Sequence, residues 1–152
     1  MPIQLKIIIP IISLLAAENL LAGETVTYHG TGTYKATQIL MPLANGDGIL
    51  HLTNETIATI EPSERGFIFG DCAGLGHITA AGELSTESYC TFRESDEDAF
   101  DLHNKAKGGE GMLEVIGGSG KWEGATGTGT VKRKFTEGNH GTYEYELKIK
   151  TP

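Results

Sequence analysis

Arg133 is the side chain whose type and position most invite chemistry. It lies in Val131-Lys132-Arg133-Lys134-Phe135, where period-two alternation sends Lys132 and Lys134 to one face and Arg133 to the other. A guanidinium on an inward face is costly unless it is paired or solvated, so such residues often mark a ligand cavity. A bulge in the strand, or a place near a mouth where it reaches water, would also accommodate it. Tyr28, Tyr34, Tyr143 and Tyr145 share the inward parity and would line the same space with an apolar body and a hydroxyl tip, although tyrosines so placed also serve as plain core. Asn54, in phase with Leu50 and Leu52, is a further inward polar group. Together these residues suit a small, largely apolar ligand.

Other chemistries are poorly supported. His29, His51, His77, His103 and His140 are scattered without the close spacing that metal ligands need, and no metal or cofactor is expected. Asp96, Glu97, Asp98 and Asp101 lack the spacing and central Gly of a calcium loop and read as a solvated turn. Gly118-Ser119-Gly120-Lys121-Trp122-Glu123 fits neither a phosphate loop nor a dinucleotide fingerprint, and no Gly-x-Ser-x-Gly elbow occurs.

The elements that must position these groups are strands. No segment after the first two dozen residues carries a sustained 3.6-residue apolar stripe, whereas alternation recurs between clusters of Gly, Asn and Asp. Eight strands are expected at 25–37, 48–60, 66–78, 84–94, 99–107, 111–117, 127–136 and 141–150. Short turns join them, including Asn45-Gly46-Asp47-Gly48, Ala80-Ala81-Gly82 and Lys107-Gly108-Gly109. Short connections make neighbours antiparallel, and eight such strands lose their edges by closing on themselves. The expected fold is therefore all-β: an eight-stranded antiparallel up-and-down barrel of the calycin-like kind. A two-sheet sandwich is the competing architecture.

Two hairpins have a register that can be read in advance. Centring the last on Asn139 places Lys132 opposite Glu146, Lys134 opposite Glu144, Phe135 opposite Tyr143, Val131 opposite Leu147 and Arg133 opposite Tyr145. Tyr143, Tyr145, Leu147 and Ile149 then form the inner face. Cys72 and Cys90 are equidistant from Ala81 in the Ala80-Ala81-Gly82 turn, so they face each other within reach of a disulfide. Two free buried thiols are the alternative.

Residues 1–23 have the layout of a signal peptide: Lys6, the apolar run from Ile7 to Ala17, and the small residues Ala22 and Gly23. An uncleaved N-terminal anchor is the other reading. Residues 24–152 then form one domain, exported to a periplasmic or extracellular compartment where a disulfide persists, with no stable membrane insertion after processing. With 12 basic and 20 acidic residues the net charge is −8, which disfavours binding to the phosphate backbone of nucleic acid.

The segment Ile116-Gly117-Gly118-Ser119-Gly120-Lys121-Trp122-Glu123-Gly124-Ala125-Thr126-Gly127 resembles the glycine-rich strand–turn of plant dirigent proteins and allene oxide cyclases, with Trp122 where relatives often carry Phe or Tyr. Tyr89-Cys90-Thr91-Phe92-Arg93, followed by Asp96-Glu97-Asp98, is similar to the Cys-containing strand and acidic turn of exported bacterial proteins with the same barrel. The resemblance implies an eight-stranded barrel that is usually trimeric. Its catalytic residues have no counterparts among the matched positions. On the residues alone, Trp122 is suited to fold over a barrel end as a plug, or less readily to touch a ligand. Three functions follow as expectations. The first is a non-enzymatic binder of a small apolar ligand or a protein partner. The second is a cofactor-free cyclase or isomerase working in the cavity, and the third is a structural module that self-associates as a dimer or trimer.

Overall fold

A computed structural model describes residues 23–152; the expected signal peptide lies outside the described residues, Gly23 apart. Eight strands run β1 (Thr25–Pro42), β2 (Gly48–Thr59), β3 (Phe67–Ile78), β4 (Leu84–Arg93), β5 (Ala99–Lys107), β6 (Glu110–Ser119), β7 (Thr126–Glu137) and β8 (His140–Lys150). A 3-10 turn, η1 (Gly120–Trp122), joins β6 to β7. Each strand pairs antiparallel with its sequence neighbour and β8 pairs with β1, closing the barrel. The sandwich alternative is thereby excluded.

One half of the barrel is filled. Ile60, Ile68, Phe100, Leu102, Val115, Leu147 and Ile149 pack there, and Trp122 closes the end at 2 % exposure. Trp122 meets Phe100 edge-on at 5.2 Å between ring centroids and Tyr28 at 5.5 Å. The glycine-rich turn that carries Trp122 is fastened to the acidic turn between β4 and β5. Asp98 Oδ1 accepts the Lys121 amide at 3.0 Å, and the Ser119 hydroxyl donates to the Glu97 carbonyl at 3.0 Å. The amide bond holds the Asp98 carboxyl below its ordinary range. So the two segments that carried the resemblance dock on one another. Beneath them Glu94, its side chain only 2 % exposed, forms an ion pair with Lys121.

Cys72 and Cys90 stand opposite each other in the β3–β4 ladder and form a disulfide. The β7–β8 hairpin departs from its expected register. Its turn has two central residues, Gly138 and Asn139, with Gly138 at φ +59°, as a two-residue turn with Gly first requires. A bulge between Arg133 and Phe135 then shifts the ladder, so Lys132 opposes Glu144, Val131 opposes Tyr145 and Arg133 opposes Tyr143. Lys134 still meets Glu144, at 3.0 Å, but Lys132 pairs with Glu110 of β6 at 2.8 Å instead of Glu146. The bulge also turns Phe135 outward, to 59 % exposure, where alternation had placed it inside. Tyr143, Tyr145, Leu147 and Ile149 do face inward.

β1 runs to Pro42, beyond the expected end at residue 37. Residues 36–42 continue the ladder with β2, whereas β8 pairs with β1 only as far as Lys35. This projection leaves Ile39, Leu40 and Met41 exposed.

Two glycines let large rings lie flat against the wall. A Cβ at position 32 would overlap the Tyr143 ring, and one at position 141 would overlap the Tyr34 ring. Gly32→Ala is expected to cost about 2 kcal/mol by overpacking, read from chemical denaturation, and Tyr143→Leu in the same chain should recover part of it. An unchanged midpoint for Gly32→Ala would contradict this packing. Lys121→Ala leaves Glu94 buried without its counter-charge, and should cost about 2 kcal/mol, below the full buried-pair value because Lys121 is half exposed. Adding Glu94→Gln should then restore much of the loss; a neutral Lys121→Ala would show that water replaces the lysine.

Candidate functional site

Above the filled end the barrel holds a cavity of about 210 Å³. Its floor is Ile68, Phe92, Phe100 and Leu147, and the disulfide lies in its wall. Higher up, polar groups join the apolar Leu52, Leu84, Ala106 and Val131 in the lining: Gln38 of β1, Asn54 and Thr56 of β2, Thr86 and Ser88 of β4, and Asn104 of β5. Gln38 and Arg133 are exposed and also line the cavity, which marks its mouth at the end bearing the β5–β6 and β7–β8 turns. Arg133 donates its amide to the Gly109 carbonyl at 2.8 Å, and its guanidinium lies beside that glycine. It therefore sits at the rim and reaches water. Among the described residues it is the only charged side chain in the lining.

Of the residues expected to share this space, Arg133, Tyr34, Tyr143, Tyr145 and Asn54 line the cavity. Tyr28 and Trp122 do not; they meet each other under its floor. Strand parity had put Tyr28 on the inner face, but its height along the axis places it in the filled half.

The tyrosine hydroxyls are already engaged. Thr56 Oγ1 donates to the Thr33 carbonyl at 2.8 Å, so the Tyr143 hydroxyl donates to Thr56 Oγ1 at 2.7 Å. Tyr145 donates to the Thr59 carbonyl at 2.7 Å, and Tyr34 bonds Thr136 Oγ1 at 3.1 Å. Burial raises the pKa of Tyr143 despite the Thr56 bond. Burial, reinforced by the nearby Tyr143, Glu94 and Glu61, raises that of Tyr145 further. Both are neutral phenols near neutral pH. They offer ring faces and oxygen lone pairs, with their protons committed to the wall.

Thr56, Ser88 and Glu94, which are buried, and Asn104, which is half-buried, escaped the sequence reading. Ser88 precedes Cys90 on the inward face of β4, Asn104 follows Leu102 on that of β5, and Glu94 follows Cys90 and Phe92. Each sits at inward parity, so alternation was the signal that could have found it. Asn104 Nδ2 approaches Ser88 Oγ at 3.4 Å, while Asn104 Oδ1 is buried with no hydrogen-bond partner.

No protein-family model matches this chain, and no curated protein sequence matches it. Solved structures do. The pterocarpan synthase dirigent protein GePTS1 superposes with a TM-score of 0.56 at 12 % identity, over 89 % of this chain and 92 % of its own. The pterocarpan synthase dirigent protein PsPTS1 gives a TM-score of 0.56 at 13 % identity, over 84 % of this chain and 96 % of its own. At such identity the likeness concerns the fold alone: this chain has the closed eight-stranded barrel found in dirigent proteins.

Proposed function

We propose that this protein is a non-enzymatic, exported barrel that binds a small, largely apolar molecule in the open half of its interior. The observation that carries the reading is the cavity itself: apolar at its floor, mixed and uncharged along its walls, with Arg133 at its mouth. A dry apolar cavity of roughly 150 Å³ can take up benzene. The larger, open space here suits one or two fused rings, with an acceptor or anionic group directed outward to Arg133. The structural neighbours are named as pterocarpan synthase dirigent proteins, and a polycyclic phenolic ligand of that general kind fits the same description. An isomerase or cyclase would need acid and base groups converging on the ligand. Here the lining offers one guanidinium and tyrosines whose hydroxyls are already hydrogen-bonded to the wall, so binding is the better-supported activity. The disulfide supports export, since such bonds persist in oxidising compartments.

A second property has its own observation. Ile57, Phe67, Phe69 and Phe135 are exposed on the outer wall. Phe135, Thr142, Thr33, Ile57 and Phe69 follow one another as cross-strand neighbours, and so form one outward band. The β1 projection adds an edge at 37–42 with no strand beyond it among the described residues. Bands and edges of this kind favour association, and we propose a second copy of this chain as the occupant.

Naphthalene-2-carboxylate should raise the melting temperature of the mature protein in proportion to RT ln(1 + [L]/Kd), and Arg133→Ala should remove most of that gain. No gain in the wild type would overturn the binding reading; a gain retained in the variant would remove Arg133 from the site. Sedimentation at concentrations on the order of 100 μM should show a dimer or trimer that Phe69→Lys with Phe135→Lys converts to monomer, about 1 kcal/mol or more being lost per truncated anchor. A wild-type monomer at that concentration would refute self-association.

A further inference from the structure

From a groove on the outer wall over β3 and β4, we propose that this protein binds a neutral hexopyranose with equatorial hydroxyls, the repeating unit of a β-linked glucan, and that Tyr89 is its stacking platform. The groove lies on the opposite face of the sheet from the barrel cavity and takes a different class of molecule.

Tyr89 points outward and is 56 % exposed, yet its ring is held in one orientation. Its cross-strand neighbour His103 on β5 stacks on it, with ring centroids 4.6 Å apart and planes 7° from parallel. His103 is fixed in turn, for one ring nitrogen meets Glu87 at 2.7 Å and the other faces Glu114 at 3.7 Å. The imidazole thus covers one face of the tyrosine. The opposite face looks toward the neighbour on β3, which is Ala73. A single methyl group cannot cover a phenol ring, so this face stands open above a groove of about 530 Å³. Thr53 and Thr37 continue the same row on β2 and β1 and form its far side.

The groove therefore joins an aromatic face to a hydrogen-bonding rim. Lys35, Glu55 and Asp71 form the next row along the strands and line the same groove. Arg93 donates to Asp71 at 2.7 Å and holds its carboxylate in place. A pyranose with equatorial hydroxyls matches both parts. Its axial C–H bonds present the partial positive charge that a ring face attracts. Its hydroxyls donate to the carboxylates and accept from the ammonium or the threonines. A plain aromatic compound would leave the rim without partners, and an anion would be repelled by Glu55 and Asp71.

The test titrates cellotetraose, and separately tetramethylammonium chloride, into the mature protein and follows the backbone amides by NMR. Cellotetraose should bind with a Kd on the order of 1 mM and shift the amides of Ala73 and Tyr89, while those around Arg133 stay in place. Tyr89→Ala should weaken binding about tenfold or more, whereas Tyr89→Phe, which keeps the ring, should hold it within about twofold. Ala73→Leu fills the groove from an exposed position that leaves the core untouched, and should also weaken binding about tenfold. No binding by the wild type at concentrations on the order of 20 mM would overturn the proposal. Unchanged affinity in either Tyr89→Ala or Ala73→Leu would overturn it as well. If tetramethylammonium binds the groove more tightly than the tetrasaccharide, Tyr89 serves a cation and the assignment to sugar falls. None of these outcomes bears on the cavity, whose probe and variant are different.

Discussion

Trp122 meets Phe100 and Tyr28 edge-on, and the division of the barrel into a filled half and a hollow half depends on that contact. An eight-stranded barrel is just wide enough for side chains to fill it, so a space at one end requires that the opposite end be closed firmly. Trp122 does so from outside the ladder, carried on a 3-10 turn that Asp98 and the Glu97 carbonyl hold down. The Lys121 ammonium adds an ion pair to buried Glu94 directly beneath. Together these contacts replace the strand-to-strand hydrogen bonds that end where β6 gives way to η1. Without them the core residues Leu147 and Ile149 would face an open end.

The hollow half is built by a different device. Tyr34 and Tyr143 do not project toward the axis; they lie over glycines of neighbouring strands and bond beyond them, Tyr34 to Thr136 and Tyr143 to Thr56. Rings laid along the wall widen the space that upright rings would occupy. The arrangement also commits their hydroxyls, so the wall keeps aromatic faces and gives up acid–base chemistry.

Much of this was legible in the chain. Alternation and turn residues located all eight strands, the symmetry about Ala81 paired the cysteines, and parity pointed Arg133, Asn54 and the tyrosines inward. Three things were not legible. The last hairpin was misregistered twice over: its turn is centred between Gly138 and Asn139 and not on Asn139, and the bulge after Arg133, which leaves no mark in a run of alternating lysines, turned Phe135 to the other face. The end of β1 was cut short because Ile39-Leu40-Met41 abandons alternation where the strand leaves the closed barrel. Height along the axis was hidden as well. Parity tells which face a residue occupies, but the stagger between strands decides whether it meets the packed floor, as Tyr28 does, or the cavity, as Tyr34 does.

A cavity and an unsatisfied amide both lower stability, and the chain shows where that loss is offset. Leaving interior volume unfilled forfeits dispersion contacts, at a cost that grows with the space left open. The Cys72–Cys90 bridge lies in the wall of that same space, joining β3 to β4 across 18 residues of sequence. In the chain-entropy treatment a loop of this size contributes roughly 3 kcal/mol through the unfolded state, without filling any of the cavity. A larger side chain at either position would stabilise by packing and would close the site. A covalent link between adjacent strands leaves the volume free, which is the requirement a binding barrel must meet and a purely structural one need not.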